Sequence, residues 1–155
     1  MTQSGFRKYY FDELEVGQIF KGPTSHALDR EQIFEYARRF DPQPFHVDEE
    51  AAKATLFQGL AASGWHTTSI TMRLMVEGAM PLAGGCIGAE ATVAWPEPTR
   101  PGDVLTVESE VVELIPSRSR PDRGIAVIRC TTKNQDGKVR QVLTGKMVVP
   151  RRPAT

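Results

Sequence analysis

The sequence predicts an α+β fold in which an antiparallel sheet of about five strands wraps one long central helix. Three observations lead there. Apolar residues follow helical spacing in the first half of the chain. Residues 60–78 are almost all small or apolar, so a helix there has a thin polar face and must be largely buried. After residue 86 the pattern alternates with period two, and turn residues separate the runs. A curled sheet is the simplest cover for a buried helix. The segregation of helices from strands excludes a doubly wound α/β fold, which requires alternation.

The elements follow in order. Residues 1–16 form a lead-in whose Tyr9, Tyr10, Phe11 and Leu14 are able to pack on a neighbour. Residues 18–26 read as a first strand. Asp29 is a good N-cap, and Gln32 three residues on completes a pair of capping-box type. Ile33, Phe34, Ala37 and Phe40 then keep helical spacing. The helix must stop near Phe40, because Asp41-Pro42-Gln43-Pro44 follows and each proline disfavours a helical residue before it. Asp48 caps a short helix over residues 49–54. Gln58 and Gly59 mark a break. The central helix of about 15 residues is then about 22 Å long, with Gly78 as its C-terminal cap. Strands follow over residues 86–95, 104–115, 124–133 and 138–149. Arg100-Pro101-Gly102-Asp103 and Asn134-Gln135-Asp136-Gly137 are turns. The chain reads as one domain over residues 1–155, closed by a tail from Pro150 onward in which Arg151 and Arg152 are expected to be disordered.

Composition narrows the function. The 155 residues suit one compact domain, and 40% apolar with 25% charged residues supports a real core. Nineteen basic residues balance nineteen acidic ones, which is a poor footprint for nucleic acid and leaves little repulsion between copies. Cys86 and Cys130 have no motif spacing, so two buried, reduced thiols are expected. No run approaches the roughly 18 apolar residues that cross a bilayer, and the N-terminus has no apolar stretch of signal-peptide type. A cytoplasmic, reducing location is the expectation.

The informative stretch is Asp41-Pro42-Gln43-Pro44-Phe45-His46-Val47-Asp48. It sets a carboxylate and an imidazole five residues apart with two prolines between them. Prolines stiffen the segment by fixing φ, and a stiff segment holds two side chains in a set geometry. Imidazole changes charge near neutral pH, and a carboxylate beside it orients it or shares its proton. Such a pair polarises a water and returns a proton elsewhere. The competing reading is a helix-stop aspartate beside a hydrogen-bonded loop histidine.

This octapeptide, an Ala-rich segment after it and then Ala62-Ser63-Gly64 resemble the MaoC-like dehydratases, which include the (R)-specific enoyl-CoA hydratases and have the hot-dog fold. The resemblance runs from about residue 10 to residue 150. It implies that Asp41 and His46 are the acid/base pair holding the water that adds to a trans-2-enoyl thioester. It implies that Gly64 offers its backbone N–H to the thioester oxygen, with Ser63 beside it. A helix N-terminus has free N–H groups and a partial positive charge, and one such donor is worth on the order of 3 kcal/mol in a transition state. The implied partner is an acyl-CoA or acyl-carrier-protein thioester, with coenzyme A only as part of the substrate and no other cofactor. Three positions depart from the family pattern: Gln43 stands for Asn, Ser63 for His, and Met72 for a helix serine. These departures keep two alternatives open, a non-catalytic acyl-CoA-binding or partner subunit and, more weakly, a thioesterase.

Other residues are weighed on their own chemistry. Trp65, His66 and Met72 are possible tunnel-lining residues, and His66 reads first as a buried histidine with a hydrogen-bond partner. His26, His46 and His66 do not form a local metal motif, so no metal is expected. Ser63 and Ser69 lack a nucleophile-elbow context. Arg118, Arg120 and Arg123 read as a solvated loop, with a grip on coenzyme A phosphates as the alternative. A homodimer or higher homo-oligomer is expected, because a lone sheet of this kind leaves an edge unpaired.

Overall fold

Alternating side chains decide the second half of the chain. The computed structural model describes residues 6–154, and the four long strands are β3 (Ile87–Ala94), β4 (Val104–Pro116), β5 (Arg123–Lys133) and β6 (Val139–Pro150). Along β5 the even positions Gly124, Ala126, Ile128, Cys130 and Thr132 are buried and the odd ones are not. That is the period of a sheet with one face on a core. The β5–β6 turn is fixed by Asn134, whose side-chain Oδ1 accepts from the Asp136 and Lys138 amides at 3.0 Å each. Gly137 supplies the positive φ of 74° that the turn requires.

The sheet order is β1-β4-β5-β6-β3, with β2 also pairing to β4. The expected first strand is two pieces, β1 (Ile19–Lys21) and β2 (His26–Ala27), so the sheet has six strands rather than five. Gly22-Pro23 splits them: proline has no N–H for the ladder, and its ring lies against Gly78, where a Cβ would come within 2.7 Å of it.

Helix α1 (Arg30–Phe40) ends where the prolines predict. Asp29 caps it, accepting from the Gln32 amide at 2.9 Å. The reciprocal half of the box is absent, because the Gln32 side chain turns to His26 and the Ala27 carbonyl instead. Two short helices follow, α2 (Pro44–Val47) and α3 (Glu49–Lys53). Asp48 caps α3 through the Glu50 and Ala51 amides.

The central helix α4 (Gly64–Leu74) starts later than its composition suggests and continues into a π-type turn, Met75–Ala79, closed by Gly78 at φ 141°. Residues 60–63 are buried but not helical, because their amides and carbonyls are taken by neighbouring segments. One face of α4 (His66, Thr67, Ile70, Thr71, Leu74) is buried. Trp65, Met72 and Val76 are exposed at 60%, 44% and 58%, so the helix is not covered all round by its own sheet.

Segments near both ends of the described residues dock on the fold. Phe11 covers Gly124 of β5, leaving no room for a side chain there. The Arg151 amide donates to the Asp122 carbonyl at 2.8 Å, and Arg152 and Arg7 both reach Glu13. The backbone bond from Tyr10 and then these two guanidinium groups hold the Glu13 carboxyl down to about 2. Residues 151 and 152 are thus ordered, contrary to the expectation for a basic tail. Residues 1–5 of the expected lead-in and Thr155 lie outside the described residues. Cys130 is fully buried and its thiol is pushed up to about 11 by burial, whereas Cys86 is only half-buried.

A buried ion pair ties the turn before β4 to β6. Asp103 Oδ2 accepts from Arg140 Nε and from the Arg100 amide, each at 2.9 Å, and Oδ1 accepts from Asn134 at 3.0 Å. Burial pushes the Asp103 carboxyl up, but the Arg100 amide, Arg140 and Asn134 outweigh it and hold it below its ordinary value. Removing one member of such a pair leaves its partner buried and uncompensated. Asp103→Ala is therefore expected to cost about 3 kcal/mol in urea unfolding. In the wild type the stabilisation from Asp103 is present above the ordinary carboxylate value, near 3.9, and is lost as pH falls through the lower folded value. A substitution with no effect on the urea midpoint would contradict this.

Candidate functional site

The site begins with one short helical turn. Pro42 and Pro44 end α1 and start α2, and Pro44 sits at the first helical position, where its missing N–H is not needed. This places His46 on a helix rather than in the expected loop. Its side chain turns inward and is 4% exposed. Phe45 meets the imidazole edge-on at 4.5 Å, and Phe57 lies at 5.9 Å.

His46 Nδ1 lies 2.6 Å from the Ala61 carbonyl oxygen. A carbonyl only accepts, so Nδ1 carries the hydrogen. In the neutral ring the lone pair is then on Nε2, which faces Asp41 Oδ2 at 3.3 Å. Asp41 is the C-cap of α1, anchored by its amide to the Ala37 carbonyl. Its other oxygen accepts from Gln43 Nε2 at 2.6 Å. Gln43 in place of asparagine thus orients the carboxylate. Two acceptors, Nε2 and Oδ2, are left facing one another. Their contact is attractive when a proton lies between them or when a water beside them donates an O–H to each.

A cavity of about 230 Å³ opens beside His46, bordered by Phe57, Ala62, Gly64, Thr67, Trp95 and Thr99 among others. Gly64 is the first residue of α4. Among the described residues its amide has no acceptor, as expected for a first-turn N–H. The helix dipole adds partial positive charge at this point. Asp41, His46 and Gly64 thus come together: the carboxylate contacts the imidazole, and His46 and Gly64 both border the cavity. Asp41 itself does not border the cavity.

The other expected residues lie elsewhere. Ser63 is the N-cap of α4, and its carbonyl accepts from the His66 and Thr67 amides. Its hydroxyl is buried without a partner among the described residues, and it does not border the His46 cavity. Trp65 points outward and meets Trp95 edge-to-face at 5.5 Å. Met72 borders an apolar groove with Met75, Leu143 and Met147. His66 stacks on Tyr36 at 4.4 Å and lines a different cavity with His26. Burial first, and then His26, lowers the His66 imidazole to about 4. Its Nδ1 has no partner among the described residues, unlike the hydrogen-bonded histidine the sequence suggests. Arg118 and Arg120 are exposed, and Arg123 pairs with its neighbour Asp122. No group of three or more His, Cys, Asp or Glu side chains converges among the described residues.

Three residues that build the site, one on the cavity wall and two behind it, escaped the sequence reading. Trp95 packs flat over Gly64, and its Nε1–H donates to Gln141 Oε1 at 2.9 Å. Gln141 is fully buried and also holds Thr68 and Thr71 of α4. Arg100 grips the segment before Ala61. A tryptophan at a strand end and a buried glutamine in an apolar strand were the available signals.

The close approach of Trp95 explains why position 64 is glycine. A Cβ there would sit 2.8 Å from Trp95 Cε2, and the indole is pinned by Gln141. Gly64→Ala is expected to cost about 1–3 kcal/mol, as overpacking does. Trp95→Ala in the same chain should recover most of it in thermal unfolding. A Gly64→Ala protein as stable as the wild type would show that the contact is loose.

The site can be set beside known proteins. Residues 13–134 match the family model described as a MaoC like domain. The chain is 34% identical over 139 residues to the uncharacterized protein YdeM of Bacillus subtilis, covering 89% of this chain and 95% of that one. It is 31% identical over 146 residues to a 3-hydroxybutyryl-CoA dehydratase of Methylorubrum extorquens, covering 92% and 84%. The crystal structure of a MaoC-like dehydratase from Rhodospirillum rubrum superposes with a TM-score of 0.92 at 52% identity, covering 94% of this chain and 99% of that one. With its curled sheet around a central helix and a family match over most of its length, this chain belongs to the MaoC-like family of hot-dog-fold proteins.

Proposed function

We propose that this protein is a hydro-lyase that adds water to a trans-2-enoyl thioester, or removes it from the 3-hydroxyacyl thioester, with coenzyme A or an acyl-carrier protein as the thiol. The observation that carries the reading is the His46 Nε2–Asp41 Oδ2 contact of 3.3 Å, beside a cavity that His46 and Gly64 both border. The dehydratase relative supports the same reaction class.

The chemistry follows from the donors and acceptors. A water seated beside the pair, off the line joining Nε2 and Oδ2, donates one hydrogen to each, and its oxygen lone pair faces the β-carbon of the substrate. As the C–O bond forms, Nε2 takes a proton and electron density moves to the thioester oxygen. The Gly64 N–H and the α4 dipole stabilise that oxygen. The proton held by the pair then passes to the α-carbon, so water and proton arrive on one face. Replacing either partner removes general base catalysis, typically worth about 10²–10⁴-fold.

Loss of crotonyl-CoA absorbance tests this. The wild type is expected to turn over, and Asp41→Asn and His46→Gln to lose at least about 100-fold in kcat. Equal rates for the three proteins would reject the pair. A coenzyme A ester that raises Tm without turnover would make the protein a binding subunit, and free thiol release would make it a thioesterase.

The site reading includes a homodimer through the β3 edge. β3 is a terminal strand of the sheet, exposed along almost its whole length. Ile87, Met72 and Val76 add apolar surface at 54%, 44% and 58% exposure. A second copy of the strand satisfies that edge. No helix among the described residues is long and apolar enough to cross a membrane. Light scattering at micromolar concentration is expected to give twice the 17.2 kDa chain mass, and a monomeric mass would contradict the pairing.

A further inference from the structure

The backbone between α3 and α4 has no secondary structure to hold it, yet it carries the carbonyl on which His46 depends. Residues 57–60 pass through a non-glycine positive φ at Gln58 (57°). Their carbonyls therefore cannot form a regular ladder, and buried carbonyls require donors. Arg100 supplies them. Its Nη1 donates to the Gly59 and Leu60 oxygens at 3.0 and 3.1 Å, and its Nη2 donates to the Phe57 oxygen. One planar guanidinium thus collects three carbonyls of one segment.

The next residue is Ala61. Its amide donates to the Phe45 carbonyl at 3.1 Å, its carbonyl accepts from His46 Nδ1, and the following Ala62 amide donates to the Thr99 carbonyl at 2.9 Å. The segment is a strap, clamped to α2 on one side and to Thr99 and Arg100 on the other. Arg100 is itself held: its amide donates to Asp103 Oδ2, within the buried Asp103–Arg140 pair. The chain of contacts runs from that pair through the guanidinium to the strap, and from the strap to the imidazole.

We propose that Arg100 is a positioning residue for His46. By fixing the strap it aims the Ala61 carbonyl at Nδ1, which keeps the ring in the Nδ1–H tautomer and leaves Nε2 free to face Asp41 and the cavity. This inference rests on the reading of His46 as the base, but the state of the ring is measurable without turnover. Lysine does not replace arginine here, because an ammonium is a point donor and cannot span three carbonyls in a plane.

The test is long-range ¹H–¹⁵N NMR of the imidazole nitrogens in unliganded protein at mildly alkaline pH, with His46 signals assigned by their loss in His46→Gln. In the wild type, Nδ1 is expected to be protonated and Nε2 bare. Arg100→Lys is expected to populate the other tautomer, to lower kcat for crotonyl-CoA about tenfold or more with little change in KM, and to alter the pH dependence of kcat. Arg100→Ala is expected to do the same more strongly. If the alanine protein does not fold, the lysine protein, which keeps the charge and one donor group, decides the matter. An Arg100→Lys protein with an unchanged tautomer overturns the proposal, whether or not its rate falls. A wild type inactive on every enoyl thioester would instead sink the hydratase reading and leave the tautomer result to judge Arg100.

Discussion

The hydrogen bond from His46 Nδ1 to the Ala61 carbonyl, 2.6 Å long, is the constraint on which the rest of the site depends. It is buried, so solvent does not compete for it. It decides which imidazole nitrogen carries hydrogen, and therefore which one faces Asp41. Without it, the two acceptors that the proposed mechanism uses would not be defined. The bond also crosses the fold: His46 comes from a turn ended by prolines, and Ala61 from a strap that leads into α4. The same strap sets where α4 begins, so the imidazole and the Gly64 amide are placed by one piece of backbone.

The sheet enters the site through its polar interior. Gln141 of β6 receives the Trp95 and Thr68 hydrogen bonds and donates to Thr71, which meets Thr132 of β5 at 2.7 Å. Every member of this group has a partner, as its buried members Gln141, Thr71 and Thr132 require. It fixes α4 against β5 and β6 in one register and sets Trp95 over Gly64. The opposite face of α4 is different. Trp65, Met72 and Val76 are only partly covered by their own chain, and β3 beside them is an exposed edge. An amphipathic division of this kind gives the helix one face that supports the site and one that carries the proposed dimer contact.

Much of this was legible in the sequence, and the reasons differ by element. The four long strands were readable because period-two burial is a local signal, visible without knowing the partner strand. The end of α1 was readable because proline acts on its immediate neighbour. Asp41, His46 and Gly64 stood out through spacing and family likeness. The split first strand was missed although Pro23 is a local breaker inside it; only its packing on Gly78, 55 residues away, was beyond a local signal. The start of α4 was missed because Leu60, Ala61 and Ala62 have helical character by composition, and only Arg100, Phe45 and Thr99 hold them extended. Arg100 itself looked like a turn residue. The ordered tail was hidden for a similar reason: two arginines at a chain end say nothing of Glu13 and Asp122 waiting for them.

In the proposed reaction one water, held by both His46 and Asp41, adds across a double bond from the face on which the pair lies. The most direct measurement is the isotopic composition of the product formed from crotonyl-CoA in D₂O, read by mass spectrometry and NMR. The account predicts 3-hydroxybutyryl-CoA carrying a single deuterium at C2, in one configuration, with hydroxyl and deuterium added to the same face. A product with deuterium scrambled between the two C2 positions or added to the opposite face, or a reaction that yields only free thiol, would contradict it.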